Sequence, residues 1–256
     1  AEKQYYEQAV TGITIVINPI PTTASAGKSS DEKEWGSNST IVLTYNRTDT
    51  NQGVENADNK TFVIYSGGNE VYRGELKELG NGRYQFNMNT SQLGVGSYVV
   101  YIYLGKVFHE NQTLVIQLTV DEISTYSYLE NDEITAEWGD VVTFVVHYNR
   151  TATLEGVEGA IVKYNISGVV NNLNAAELGD GMYRITIDTT SLTPGTTYLI
   201  EILATKSNYA EQTLTGLLHL ELIATYGYFD KDSISVVWSE EVTFCLLYTS
   251  DAADDG

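Results

Sequence analysis

Hydrophobic residues along this chain alternate with polar ones, and the period is two. Tyr84, Phe86 and Met88 are separated by Gln85 and Asn87; Tyr183, Ile185 and Ile187 are separated by Arg184 and Thr186. Ile41, Leu43 and Tyr45 form a second row, with Phe144, Val146 and Tyr148 as its counterpart. Tyr98, Val100, Ile102 and Leu104 form a third, matched by Tyr198, Ile200, Ile202 and Ala204. Leu114, Ile116, Leu118 and Val120 form a fourth. This alternation predicts strands with one buried and one solvated face, as in antiparallel sheets. Between the rows lie Ser66-Gly67-Gly68-Asn69, Gly80-Asn81-Gly82 and Gly179-Asp180-Gly181. These residue types tolerate the positive φ of tight turns. About seven strands per hundred residues predict an all-β chain of antiparallel β-sandwiches.

The rows recur. Trp35, Trp138 and Trp238 stand 103 and 100 residues apart. Tyr45-Asn46-Arg47 matches Tyr148-Asn149-Arg150, and Gly53-Val54-Glu55 matches Gly156-Val157-Glu158. Gly80-Asn81-Gly82-Arg83-Tyr84 matches Gly179-Asp180-Gly181-Met182-Tyr183, and Thr125-Tyr126-Ser127-Tyr128 matches Thr225-Tyr226-Gly227-Tyr228. A unit of about 100 residues is the signature of an array. The expected organisation is two complete repeats, 21–120 and 121–223, flanked by the end of an earlier copy (1–20) and the start of a later one (224–244). In the first of these fragments Ile13, Ile15 and Ile17 continue the alternation.

Leu192-Thr193-Pro194-Gly195-Thr196-Thr197-Tyr198 resembles the tyrosine corner of fibronectin type III domains, and Leu93 to Tyr98 is a shorter version without the proline. In that motif a tyrosine hydroxyl bonds back to the backbone where the chain crosses the sandwich. Gly156 to Val162 resembles the segment before a central strand in invasin-like, macroglobulin-like and other microbial immunoglobulin-like repeats. The first copy carries an insertion, 58–61, after the same motif. The resemblance covers nearly all of residues 21–223. It implies tandem immunoglobulin-like antiparallel β-sandwiches on a microbial surface or secreted protein.

Composition narrows the partners. The net charge of −20 argues against nucleic acid and anionic membranes, which call for a basic face. No apolar run is long enough for a transmembrane helix, so direct membrane insertion is not expected of this segment. The last twelve residues, 245–256, resemble a translated sequencing adapter. They are expected to carry no natural function, which makes the only cysteine, Cys245, non-native. Leu246 still continues the alternation from Phe244, so a strand is expected there. The chain starts at Ala1 and reads as a piece of a longer protein.

Catalytic chemistry has little footing. His109, His147 and His219 occupy unrelated positions of the repeat, and His147 stands where the first copy has Thr44, on a solvated strand face. No phosphate loop, nucleophile elbow or zinc spacing occurs, and no catalytic residue or cofactor is assigned. Seven Asn-X-Ser/Thr triplets, at Asn38, Asn46, Asn59, Asn89, Asn111, Asn149 and Asn165, exceed the roughly three that chance composition gives, and mark glycan acceptors of an exported protein. Carboxylates cluster at the joints between repeats. Asp121, Glu122, Asp132 and Glu133 are calcium candidates at the first, and Glu221, Asp230 and Asp232 at the second; an ordinary solvated acidic surface is the plainer reading. Lys106 and Lys206, in phase with Lys3, read as turn-closing residues. Tyr5, Tyr6, Tyr126, Tyr128, Tyr226 and Tyr228 read as edge packing ahead of a sugar platform, and the tryptophans as lids over the sandwich end.

Three functional readings follow. The first is a non-catalytic structural or adhesive stalk of a cell-surface or secreted protein, its repeats contacting their neighbours in the same chain. The second is an accessory array of a larger secreted enzyme. The third is a module that binds surface glycans or proteins. The joints at Val120-Asp121 and Leu220 to Thr225 contain no Gly/Ser linker, which favours an extended arrangement.

Overall fold

The computed structural model describes residues 11–250, with 248–250 described by their backbone. Tyr5, Tyr6, Lys3 and residues 251–256 lie outside the described residues. Contacts divide the chain into two compact units, Ala1–Glu122 and Ile123–Gly256.

In the first unit the strands are β1 (Thr22–Ala26), β2 (Ser30–Glu34), β3 (Asn38–Arg47), β4 (Asn59–Ser66), β5 (Asn69–Glu75), β6 (Lys77–Gly80), β7 (Arg83–Asn89), β8 (Gly96–Gly105) and β9 (Gln112–Asp121). They form two sheets, in the orders β1-β3-β7-β6 and β2-β9-β8-β4-β5. Every neighbouring pair is antiparallel except β2 and β9, which run parallel from Ser30 beside Gln117 to Glu34 beside Asp121.

The second unit repeats this plan. Its strands are β10 (Thr125–Leu129), β11 (Glu133–Glu137), β12 (Val141–Arg150), β13 (Ile161–Ile166), β14 (Val170–Asn174), β15 (Ala176–Gly179), β16 (Met182–Asp188), β17 (Thr196–Lys206) and β18 (Tyr209–Glu221). The sheets are β10-β12-β16-β15 and β11-β18-β17-β13-β14, with β11 parallel to β18. Each unit is thus an immunoglobulin-like sandwich. A further pair, β19 (Thr225–Phe229) and β20 (Leu246–Ser250), follows. Its register, Thr225 beside Ser250 to Phe229 beside Leu246, is that of β10 on β12 advanced by 100 residues.

Among the described residues each sandwich has nine strands where the alternation predicts about seven, because two rows change sheets midway. The first row pairs with β3, then crosses at Gly27, whose N–H donates to Val42 O (2.9 Å), and continues as β2 on the other sheet. The middle row leaves β5 for β6 at Leu76, whose N–H donates to Lys60 O (2.8 Å). Ala175 does the same to Val162 O (2.9 Å). A sheet change breaks the ladder without breaking the alternation, so period alone does not register it. Ile13, Ile15 and Ile17 carry the alternation of a strand, yet they are irregular and 79–88% exposed. An isolated extended segment has no ladder to join.

The inward rows form one core per unit. Leu43, Tyr45, Tyr84, Phe86, Val100 and Ile102 are fully buried in the first. Val146, Tyr148, Tyr183, Ile185 and Ile200 occupy the corresponding places in the second. Phe62 and Phe86 meet edge to face at 4.7 Å between centroids, a geometry that adds to area burial.

Candidate functional site

The repeated motifs converge on one end of each sandwich. Gly53 lies flat against the 80–82 turn, so a Cβ there would meet Asn81 C at 2.2 Å; at Gly156 it would meet Asp180 C at 2.1 Å. The turn glycines, Gly82 and Gly181, have φ of +69° and +72° and would equally collide with backbone. This close approach permits a three-way exchange. Tyr45 N–H donates to Gly82 O and Val54 N–H to Tyr45 O, both at 2.8 Å. Tyr148, Gly181 and Val157 repeat it at 2.9 and 2.8 Å. Beneath it the buried Tyr84 hydroxyl donates to Val54 O (2.7 Å), and Tyr183 to Val157 O (2.6 Å). Burial pushes the Tyr84 hydroxyl up to about 12, against the hydrogen bond it accepts from Ala57 N–H.

The in-phase lysines complete this end. Lys106 Nζ donates to Glu55 O (2.6 Å) and Lys206 Nζ to Glu158 O (2.5 Å). Their partners are backbone carbonyls of the glycine-valine-glutamate segment, so each lysine ties its loop to another one instead of closing its own turn, the role the spacing predicts. At another corner the tyrosine motif is present in both units. Tyr98 hydroxyl donates to Gly94 O (2.8 Å). Tyr198 hydroxyl accepts from Thr193 N–H (2.7 Å) and lies 3.3 Å from Thr193 O. The shorter first-unit loop therefore closes one residue nearer to its tyrosine. Trp35 Nε1 donates to Leu93 O (2.9 Å) and Trp138 Nε1 to Leu192 O (3.0 Å), each beside its corner. Trp238 is 93% exposed.

The sequons divide by exposure. Asn38, Asn59, Asn89 and Asn111 are exposed, and Asn46 and Asn165 are half-buried. Asn149 is buried and donates its amide to the Tyr126 hydroxyl (3.4 Å), which leaves it the least accessible acceptor.

The carboxylates proposed for calcium are each placed, and no three of them converge: among the described residues no group of three His, Cys, Asp or Glu has metal-holding geometry. Asp121 and Glu122 end the first unit. Asp121 O accepts from Trp35 N–H, Asp132 O from Leu217 N–H and Glu221 O from Trp138 N–H. Glu133 pairs with His219, and Asp230 Oδ1 accepts from Cys245 N–H (3.1 Å). Asp232 is exposed.

His147 departs from the expected solvated position. It stacks on Tyr128 at 4.4 Å, and its Nε2 lies 2.9 Å from Glu130 Oε1. Tyr126 stacks on the same tyrosine at 6.3 Å. These rings face one another along the sheet, so they pack an edge rather than lay out a platform. His219 Nδ1 hydrogen-bonds with Thr197 Oγ1 (2.8 Å), and its Nε2 lies 2.7 Å from Glu133 Oε1 without hydrogen-bond alignment. The order carboxylate, imidazole, hydroxyl matches an acyl-transfer triad. Its setting does not: Glu133 is 63% exposed on a strand face, and the adjacent Gly195 N–H is committed to Leu220 O. The first unit has Ser30, Thr119 and Ser97 in these places, so the trio is one version of a cross-strand ladder tying β11, β18 and β17.

No protein-family profile and no curated protein sequence matches the chain. Solved structures similar to it include the fibronectin(III)-like modules of CbhA from Clostridium thermocellum, 11% identical, covering 78% of this chain and 94% of that one at a TM-score of 0.30. The titin Z1Z2 domains, solved in complex with telethonin, are 15% identical over 78% of this chain and 98% of theirs, at a TM-score of 0.40. The adhesin InvE of Yersinia pseudotuberculosis is 12% identical over 77% of this chain and 58% of its own, at a TM-score of 0.33.

Proposed function

We propose that the chain is a segment of a non-catalytic, load-bearing stalk on a cell-surface or secreted protein, built from the repeats 21–120 and 121–223. The observation that carries this reading is the parallel pairing of an early strand with the last strand in each sandwich. Five successive residue pairs link β2 to β9, and five link β11 to β18. Tension on the two chain ends pulls parallel strands along their length, so the bonds between them are loaded together in shear. A hairpin pulled at its open end loses them one at a time.

The repeated motifs support the same reading. They are spent on locking each sandwich end, through the glycine contact, the buried tyrosine and the lysine clasp. Exposed sequons and strong negative charge suit an exported, soluble surface. No helix among the described residues is long and apolar enough to cross a membrane.

Single-molecule force spectroscopy tests the proposal. Pulled end to end, each repeat is expected to unfold in one step, releasing up to about 3.3–3.6 Å per residue of its length. The force should exceed that for pulling the first repeat between Val95 and Glu122, at the open end of the β8–β9 hairpin, which peels β9 from β8 pair by pair. Equal forces in the two directions would remove the load-bearing reading.

A further inference from the structure

The two units share most of their core and differ outside, and one such difference lies on the outer face of β4, β8 and β9. There the first unit presents Tyr65, Tyr101 and Tyr103 with Val99 and Val115, all partly or fully exposed. The register aligns Tyr101 with Glu201, Tyr103 with Leu203, Val115 with Thr215 and Val63 with Asn165 of the second unit. Most core positions stay apolar in both units because packing demands it. Nothing in the sandwich demands tyrosine on a solvated face.

The charge distribution on this face is selective. The chain carries 34 acidic residues. None stands at an outward position of β4 or β8, and on β9 none occurs before the terminal Asp121. The remaining outward positions are Thr, Ser, Gln and Asn, with Gly105 closing β8. Carboxylates instead line the rim, with Glu32 and Asp121 on one side and Glu70 and Glu75 on the other. Arg73, opposite Val63, is 59% exposed and held by Glu70 at 2.9 Å. A charge-depleted centre of tyrosine and valine inside a charged rim is the composition of a protein-binding surface.

We infer that the outer face of β4, β8 and β9 in the first unit docks another protein, one presenting an apolar centre ringed by lysine and arginine. The acidic rim selects this occupant. A second copy of the chain would bring carboxylate rims together, and like charges oppose such contact. A sugar polymer calls for ring faces laid open, whereas Tyr65 and Tyr101 meet edge to face at 5.5 Å and 86°. This inference does not rest on the load-bearing reading, and the force measurement above does not touch it.

The test is an unbiased selection on the full chain. The probe is a displayed library of a small three-helix scaffold randomised over one face, with sedimentation of the chain alone and a neutral glycan array run beside it. Tyr101→Glu and Val115→Thr install the residues the second unit carries at the same places, so the sandwich tolerates them; an unchanged melting temperature checks this. The enriched binders are expected to carry Lys/Arg rims and to lose affinity about thirtyfold or more on Tyr101→Glu, the range of an interface hot spot. They should also weaken as salt rises. Binders with neutral or acidic rims, or binders indifferent to both substitutions, would overturn the proposal. Dimerisation abolished by Tyr101→Glu, or glycan binding lost with it, would overturn it in favour of a second copy or a sugar.

Discussion

Asp31 offers the sharpest perturbation. It is 8% exposed, and its Oδ2 accepts from the wholly buried Ser39 hydroxyl at 2.6 Å. Its Oδ1 lies 2.6 Å from Lys28 Nζ and 3.7 Å from Lys33 Nζ. Burial by itself raises this carboxyl; the hydrogen bonds from Lys28 and Ser39, with the fields of both ammonium groups, outweigh it and hold the group below the ordinary aspartate value. The second unit places Ile134 and Val142 at the two positions. Asp31→Ala removes a charge-assisted bond and strands a buried hydroxyl. At about 1–3 kcal/mol for an unsatisfied group and somewhat more with the lost ion pair, the expected cost is about 3 kcal/mol. For a domain of this size that is roughly 12–24 °C in melting temperature. Replacing both partners, Asp31→Ile with Ser39→Val, removes the polar groups together and should cost under about 1 kcal/mol, or stabilise. Because the folded-state value is depressed, the contribution is complete above the unfolded aspartate value. It is lost as pH falls through the folded one. The advantage of wild type over Asp31→Ala should therefore shrink in acid, and the double variant should gain on wild type. Scanning calorimetry at neutral pH and near pH 3 reads this, with the second unit's transition as internal reference. A loss under about 0.5 kcal/mol for Asp31→Ala, or a double variant worse than the single one, would refute the reasoning.

Three further outcomes are expected. Gly156→Ala drives a Cβ into the Asp180 backbone at 2.1 Å and should destabilise the second unit by more than about 3 kcal/mol in urea unfolding, whereas Gly168→Ala, with open space at φ +76°, should cost about 1 kcal/mol. Ultraviolet titration should find Tyr84 ionising near 12. Since that value is raised on folding, stability is complete below the unfolded tyrosine value near 10 and falls as pH rises through the folded one; ionisation of every tyrosine of the folded chain near 10 would contradict it. Expressed in a host that glycosylates sequons, the chain should carry glycan at Asn38, Asn59, Asn89 or Asn111 and none at Asn149, as read by peptide mass spectrometry; occupancy at Asn149 would contradict the buried position.

Alternation and repetition alone determine most of the fold. A strand half-buried in a sandwich must alternate, because successive side chains point to opposite faces; the inward rows through Tyr45, Tyr84 and Ile102 are therefore written in one dimension. The glycine and lysine motifs are legible as repeats for the same reason: each copy meets the same local constraint at the same place. Their partners are not legible. That Gly53 exists to let the Asn81 backbone approach, or that Lys106 reaches Glu55 O, depends on residues 28 and 51 positions apart being folded together. Sheet changes at Gly27 and Leu76 are hidden too, since a row that crosses between sheets keeps its period. The polar pair of Asp31 and Ser39 interrupts an apolar row, and only burial shows that it is satisfied. Most of all, sequence pattern marks Tyr65, Tyr101 and Tyr103 as unremarkable outward positions on two different strands. The ladder sets β4 beside β8 and gathers them into one acid-free surface, and lateral neighbours in a sheet are fixed by tertiary pairing rather than by spacing along the chain.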